Sequence, residues 1–322
     1  MRPTDLGRRD LEPEEQAPAD CPFCAGNESL TPPELHREWN EGSWAVRVVT
    51  NKYAALRAYT EVDRRTNGGL FERLNGHGAH EVVIETPHHS KRMQDLPVEQ
   101  VRRVIDAYIA RLVALQKDPS HRYVQLFKNH GKEAGASLQH PHTQIVATPI
   151  VPPEVRNALN IARAYYERKK RCLYCDLMLA EIRSSERLVE EDDGYVVWAP
   201  YASRFPFELV LCPRAHSHDF TQLDDDQRWG LARMLRRTLM RLTLLLGDIP
   251  YNLVLETSPN ASPRAGKPEY WKTLPEDYHW RIAILPRLTR VAGFEWGTGL
   301  HINPMPPEKA AGYLREVDLR DA

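Results

Sequence analysis

The chain has 322 residues, 42% of them hydrophobic and 27% charged, with a formal net charge of −1. This balance suits a globular protein of about two domains, and it excludes a broad basic face for nucleic acid. The longest apolar run, LMRLTLLL at 239–246, is broken by Arg241 and too short to span a membrane, and the polar first twenty residues carry no secretory core, so a cytoplasmic protein is expected.

In chain order, the first marked feature is Cys21-Pro-Phe-Cys24, followed by a strand-like segment, WAVRVVTNKYA (44–54). Residues 58–79 are rich in Gly, Asn and Arg and predict a long hairpin or loop. A second strand follows in EVVIETPHHS (81–90), then a helix over about 97–116, in which Val98, Val101, Ile105, Ile109, Leu112 and Leu115 recur at helical spacing. YVQLFKN (123–129) predicts another strand. A Gly-rich turn, GKEAGAS (131–137), leads to the apolar strand HPHTQIVATP (140–149). Pro-rich ATPIVPPEV (147–155) opens a helical linker.

The series then repeats. A second pair, Cys172-Leu-Tyr-Cys175, precedes GYVVWAPYA (194–202), ELVLCPRAHS (208–217), a helix over about 223–246, YNLVLET (251–257) and HWRIAILP (279–286). Glu81 to His89 and Glu208 to His216 are both eight residues; His89 to Tyr123 is 34 and His216 to Tyr251 is 35. Duplication predicts an α+β protein of two tandem lobes, 1–150 and 151–322, each an antiparallel sheet with packed helices. Cys212, inside an apolar run, reads as core.

In a reducing compartment, C-x-x-C pairs are metal ligands or redox dithiols more often than disulfides. Two distant histidines would complete a Cys2His2 zinc set, and the repeat offers them in register. The first set is Cys21, Cys24, His89 and His140; the second is Cys172, Cys175, His216 and His279. Two points are open in the second. His218 competes with His216, and a gapless match of the last strands pairs His279 with His142 instead of His140. Two structural zinc ions per chain are expected, because four protein ligands leave no open position.

His140-Pro141-His142-Thr143-Gln144 is the segment that carries chemistry. Residues i and i+2 of a strand face the same way, so a metal on His140 would fix His142 beside it. Imidazole is a competent nucleophile toward phosphorus. The preceding glycines let backbone N–H groups approach phosphate oxygens, and the Gln144 amide can donate to such an oxygen.

At these residues the sequence resembles galactose-1-phosphate uridylyltransferase and its relatives in the histidine-triad superfamily, including the ADP-glucose phosphorylase-like branch. The likeness runs through CPFCAGNESLTPPE (21–34), NKYAAL (51–56), ETPHHSK (85–91), FKNHG (127–131), AGASLQHPHTQ (134–144), ASRFPFELVLCPRAH (202–216) and GFEWGTG (293–299). The resemblance implies two histidine-triad-like lobes, His142 as nucleophile and Gln144 on the transferred phosphoryl group. It further implies Asn129 and Ser137 on the nucleotide, Asn51 near the ribose, Glu295 on the sugar, and a homodimer. Many members have Asn-Asp where this chain has Asn51-Lys52. The second cysteine–histidine set looks like that of the ADP-glucose phosphorylase branch.

The expected activity is exchange of a nucleoside monophosphate between a nucleotide sugar and a hexose 1-phosphate, with UDP-glucose as donor. One rival is an ADP-glucose or dinucleotide phosphorylase of the same family. A rival of another class is a non-catalytic zinc-stabilised binding module, which HPHTQ argues against.

Overall fold

The computed structural model describes residues 18–58, 61–263 and 271–319; the polar N-terminal stretch lies mostly outside them. The first half contains β1 (Glu34–Asn40), β2 (Ser43–Thr50), the hairpin β3 (Arg64–Asn67) and β4 (Phe71–Leu74), β5 (Ala79–Ile84), α1 (Val98–Gln116), β6 (Tyr123–His130) and β7 (His142–Thr148). Helices α2 (Pro153–Lys169) and α3 (Leu173–Ser184) form the linker. The second half contains β8 (Leu188–Glu191), β9 (Tyr195–Trp198), β10 (Leu209–Pro213), α4 (Asp225–Leu246), β11 (Tyr251–Glu256), α5 (Leu274–Asp277), β12 (Arg281–Pro286), α6 (Gly293–Thr298) and α7 (Pro307–Arg315). The hairpin β3–β4 lies within the segment predicted as a long hairpin or loop.

Ten strands form one sheet in the order β1-β2-β5-β7-β6-β11-β12-β10-β9-β8, and every pairing in it is antiparallel. Reading outward from the β6–β11 seam, each strand meets its repeat counterpart at the same rank: β7 and β12, β5 and β10, β2 and β9, β1 and β8. The two sheets expected from the duplication are thus fused edge to edge, which removes two exposed edges. At the seam Asn252 pairs with Asn129 and Leu253 with Lys128.

One face of the sheet is dry. Val46, Val48, Val83, Leu126 and Ile145 from the first half share a buried cluster with Leu211, Leu253, Leu255 and Ile284 from the second. Helices α1 and α4 cover this face. Helix α4 starts at a capping box, Asp224 Oδ1 accepting Gln227 N–H at 2.8 Å while the Gln227 side chain returns to Asp224 N–H; such a cap is worth about 1 kcal/mol. The glutamates that anchored the repeat are both buried and paired: Glu81 takes a two-pronged bond from Arg111 at 2.8 Å, and Glu208 pairs with Arg204 at 3.0 Å. Cys212 is buried against Met178. Among the described residues, no helix is long and apolar enough to cross a membrane.

Candidate active site and metal clusters

Strand β7 sends Thr143, Ile145 and Ala147 into the core, so His142 and Gln144 share the opposite face. His142 Nδ1 donates to its neighbour's carbonyl, His140 O, at 2.8 Å. A carbonyl can only accept, so the proton is on Nδ1 and the lone pair is on Nε2. Burial lowers the His142 pKa, and the Lys128 ammonium adds to this; the bond to His140 O and the Glu85 carboxylate oppose it, and the net shift is downward. The ring is therefore a neutral base at neutral pH, with one nitrogen held and the other free to attack.

Beneath it lies a buried polar network that spacing alone did not disclose. Lys128 Nζ donates to Glu85 Oε2 at 2.8 Å and to His142 O at 3.4 Å. Thr143 Oγ1 donates to Glu85 Oε1 at 2.6 Å, and Tyr108 of α1 lies 2.7 Å from Thr143 Oγ1. Burial pushes the Glu85 carboxyl up, but Lys128 and these donors override it and hold it below the ordinary range. The network ties β5, β6, β7 and α1 together behind the histidine.

A second residue missed from sequence is His80. Its Nδ1 accepts Ala55 N–H at 3.1 Å, which places its proton on Nε2, 2.8 Å from Gln144 Oε1. The Gln144 carbonyl is thereby occupied, which leaves its NH2 as the donor it can offer. Asn51 Oδ1 accepts Tyr53 N–H at 2.8 Å, and its Nδ2 lies 3.0 Å from His80 Nε2, so Asn51, His80 and Gln144 form one polar row. Asn129 is on β6 beside Gln144's neighbour Phe127; its Oδ1 accepts from Asn252 Nδ2 at 2.8 Å. Ser137 is exposed on the Gly-rich turn. That turn starts at Gly131, whose φ is +79° and where a Cβ would sit 2.8 Å from Pro250 Cβ. Only glycine meets both conditions.

The structure brings each cysteine–histidine set together: one ligand atom from each of Cys21, Cys24, His89 and His140 lies within 4.8 Å of the others, and the same holds for Cys172, Cys175, His216 and His279. In the first set His140 Nδ1 is 3.8 Å from Cys21 Sγ and 3.6 Å from Cys24 Sγ, while His89 Nδ1 is 3.4 Å from Cys24 Sγ. In the second, His216 Nδ1 and His279 Nδ1 are both 3.2 Å from Cys175 Sγ. Bonds of about 2.3 Å to sulfur and about 2.05 Å to nitrogen at tetrahedral angles give a sulfur–nitrogen edge of about 3.5 Å, so both sets fit zinc. The outer partners fit too. His140, His216 and His279 each turn Nε2 to a backbone carbonyl, of Thr86 (2.8 Å), Pro275 (2.7 Å) and Pro213 (3.0 Å), which leaves the Nδ1 lone pair facing the sulfurs. Burial pushes both His140 and His279 down to about 4, keeping them neutral. His216, not His218, joins the second set, and His279 holds there the place that His140 holds in the first.

Phe23, inside the first cysteine pair, packs edge-on to the rings of His140 (5.9 Å) and His142 (5.5 Å), so the cysteine loop touches the nucleophile candidate directly. In the second half His279-Trp280-Arg281 stands where the first has His140-Pro141-His142. Arg281 lies over Tyr174 at 4.0 Å and pairs with Glu256, so that half offers a fixed cation in place of an imidazole.

The segment GFEWGT (293–298) forms the short helix α6. Glu295 Oε2 accepts Ala292 N–H at 2.9 Å and so satisfies the helix start, and Gly299, at φ +71°, ends it. Phe294, Trp296, Leu300 and Ile302 around it are exposed.

The chain is similar to known proteins along nearly its whole length. Residues 2–152 match the N-terminal domain, and residues 158–316 the C-terminal domain, of galactose-1-phosphate uridyl transferase. ADP-glucose phosphorylase of Arabidopsis thaliana is 36% identical over 320 residues, 99% of this chain and 88% of that protein. Galactose-1-phosphate uridylyltransferase of Thermotoga maritima is 26% identical, covering 95% of this chain and 92% of that protein. Among solved structures, Arabidopsis thaliana ADP-glucose phosphorylase with bound ADP-glucose superposes with a TM-score of 0.82 at 34% identity, covering 99% and 94% of the two chains. A uridylyltransferase superposes with a TM-score of 0.78 at 28% identity, covering 95% and 94%. The chain belongs to the galactose-1-phosphate uridyl transferase family.

Proposed function

We propose that this hexose-1-phosphate nucleotidyltransferase works through a covalent nucleotidyl-His142. The observation that carries the reading is the Nδ1–H···O=C bond from His142 to His140, which leaves Nε2 unprotonated on the open face of the sheet. Nε2 attacks the α-phosphorus of a nucleotide sugar, an N–P bond forms, and the bridging P–O bond breaks to release hexose 1-phosphate. A phosphate oxygen of the acceptor then attacks the same phosphorus and the N–P bond breaks. The leaving group is already an anion and needs no proton, which fits the neutral Gln144 amide two residues on. Asn51, Asn129 and Ser137 are proposed to contact the nucleotide and Glu295 the sugar.

For the donor, adenylyl transfer from ADP-glucose, with inorganic phosphate as acceptor, is supported by the likeness to ADP-glucose phosphorylase over nearly the whole chain. Uridylyl transfer from UDP-glucose is supported by the likeness to galactose-1-phosphate uridylyltransferase. Zinc would be held by the two cysteine–histidine sets, two ions per chain, and would supply a rigid anchor for the loop before His142. Localisation in the cytoplasm and assembly as a homodimer belong to the same proposal; the exposed apolar residues around Glu295 support the latter.

Intact mass after incubation with ADP-glucose and, separately, UDP-glucose tests the reading. A gain of one AMP from the first names the adenylyl reaction, and a gain of one UMP from the second the uridylyl reaction. No adduct with either, in protein carrying its metal, overturns both.

A further inference from the structure

A third cluster of metal-binding side chains stands away from the two cysteine sets. His77 precedes β5, and Asp118 and His121 lie in the turn between α1 and β6. Ala79 pairs with Ala147, whereas Ile84 pairs with His142, so the cluster is at the far end of the β5–β7 pair from the nucleophile. Five residues of strand separate those positions by about 16 Å.

One ligand atom from each of His77, Asp118 and His121 lies within 4.8 Å of the others. Both imidazoles are buried, and Asp118 reaches solvent. His121 Nδ1 lies 2.9 Å from Leu115 O, a carbonyl that can only accept, so its proton is on Nδ1. Its other ring nitrogen, Nε2, stands 4.0 Å from Asp118 Oδ2. With the ring neutral, Nε2 offers a lone pair toward that carboxylate, and a metal ion between the two satisfies both. Asp118 cannot swing away freely, because its Oδ1 accepts Ser120 N–H at 2.8 Å. The turn is itself held from the second half, Asn260 Nδ2 donating to Gln116 O at 2.8 Å and to Asp118 O at 3.3 Å. A second observation comes from His77. Its Nε2 is 2.8 Å from Ser120 Oγ, which places the ring against the Asp118–His121 turn, and its Nδ1 is buried without a hydrogen-bond partner, a costly condition for a polar atom.

We propose that His77, Asp118 and His121 form a third, sulfur-free site for a divalent transition-metal ion. Two imidazoles and one carboxylate suit zinc, cobalt, nickel or manganese, with water in the remaining positions, and they do not select the soft ions that thiolates favour. Metal–ligand bonds of about 2.1 Å give edges of about 3 to 3.5 Å, so closure from the observed spacing needs only small side-chain rotations. The bound ion would clip the start of β5 to the α1–β6 turn.

The test uses the full chain saturated with zinc, freed of unbound metal by gel filtration, and counted for metal per chain. Asp118→Asn and His121→Gln are compared with the parent protein. Cobalt substitution in parallel reports the cysteine sets separately, because only thiolate ligands give sulfur-to-cobalt charge-transfer absorption. The expected result is one ion fewer in each variant, with unchanged thiolate–cobalt absorption. Asp118 is exposed and Asn can still cap Ser120 N–H, so this variant decides the matter even if His121→Gln does not fold. Equal metal content in Asp118→Asn and the parent protein overturns the site.

Discussion

At the scale of single residues, the protonation of His142 is set by its surroundings. Burial disfavours the imidazolium, and the net shift is below the usual 6.5. The neutral form, the one the proposed attack needs, therefore persists at pH values where a solvent-exposed histidine would be half protonated. We expect the single-turnover rate of nucleotidyl-enzyme formation to hold as the pH falls through 6.5 and to reach half its plateau only below that value. A half-point at or above 6.5, with the fold intact, contradicts the assignment. Linkage has the same sign: the unfolded chain takes up the proton first, so the stability due to this ring is present above pH 6.5 and is lost as pH falls toward the folded pKa. His80 shows why part of the site escaped the sequence. Histidine in a strand is unremarkable alone, and its role toward Gln144 depends on the β5–β7 register, in which His80 opposes Val146 and Val82 opposes Gln144. Lys128 and Glu85 escaped for the same reason, being 43 residues apart in sequence and 2.8 Å apart in space.

At the scale of elements, the duplication was legible because each repeat keeps its cysteine pair, its buried glutamate and the histidine eight residues on. What separates the halves is the strand that follows. His140-Pro141-His142 gives β7 a nucleophile candidate next to a metal ligand, while His279-Trp280-Arg281 gives β12 a ligand next to a half-buried, paired guanidinium. The two clusters should therefore respond differently to loss of a thiol. Cys21→Ser loosens a loop whose Phe23 packs on His142, so nucleotidyl-enzyme formation should fall at least tenfold, together with loss of about one zinc. Cys172→Ser should also lose about one zinc and lower the melting temperature, with less than threefold change in the same rate. Metal counting, thermal melts and single-turnover kinetics on the two variants check this; equal rate losses would show that both clusters serve the chemistry alike. A melting shift of several degrees would be consistent with the ~1–3 kcal/mol of an ordinary destabilising substitution in a protein of this size.

At the scale of the whole molecule, one continuous sheet puts both repeats on a shared core, yet only one carries the HPH segment. The end of β12 lies at the same end of the sheet as His142, across β6 and β11, or about 14 Å at ordinary strand spacing. Beyond it, α6 carries Glu295 among the exposed Phe294, Trp296, Leu300 and Ile302. Apolar groups gathered on one short segment mark a surface made for covering. In a twofold dimer each such segment meets the partner in the same way as its own is met. If Glu295 serves the sugar site of the partner chain, then Glu295→Ala should leave nucleotidyl-enzyme formation nearly unchanged and slow its discharge by a hexose 1-phosphate. His142→Ala should form no adduct at all. Mixing these two impaired proteins under subunit exchange then provides the decisive measurement. A mixed dimer would pair an intact His142 from one chain with an intact Glu295 from the other, and discharge at the parent rate should return in one site per mixed dimer. If light scattering finds a dimer and mixing restores nothing, while Glu295→Ala alone is slow, Glu295 acts on its own chain's nucleophile. If Glu295→Ala discharges at the parent rate, its carboxylate does no more than close the first turn of α6.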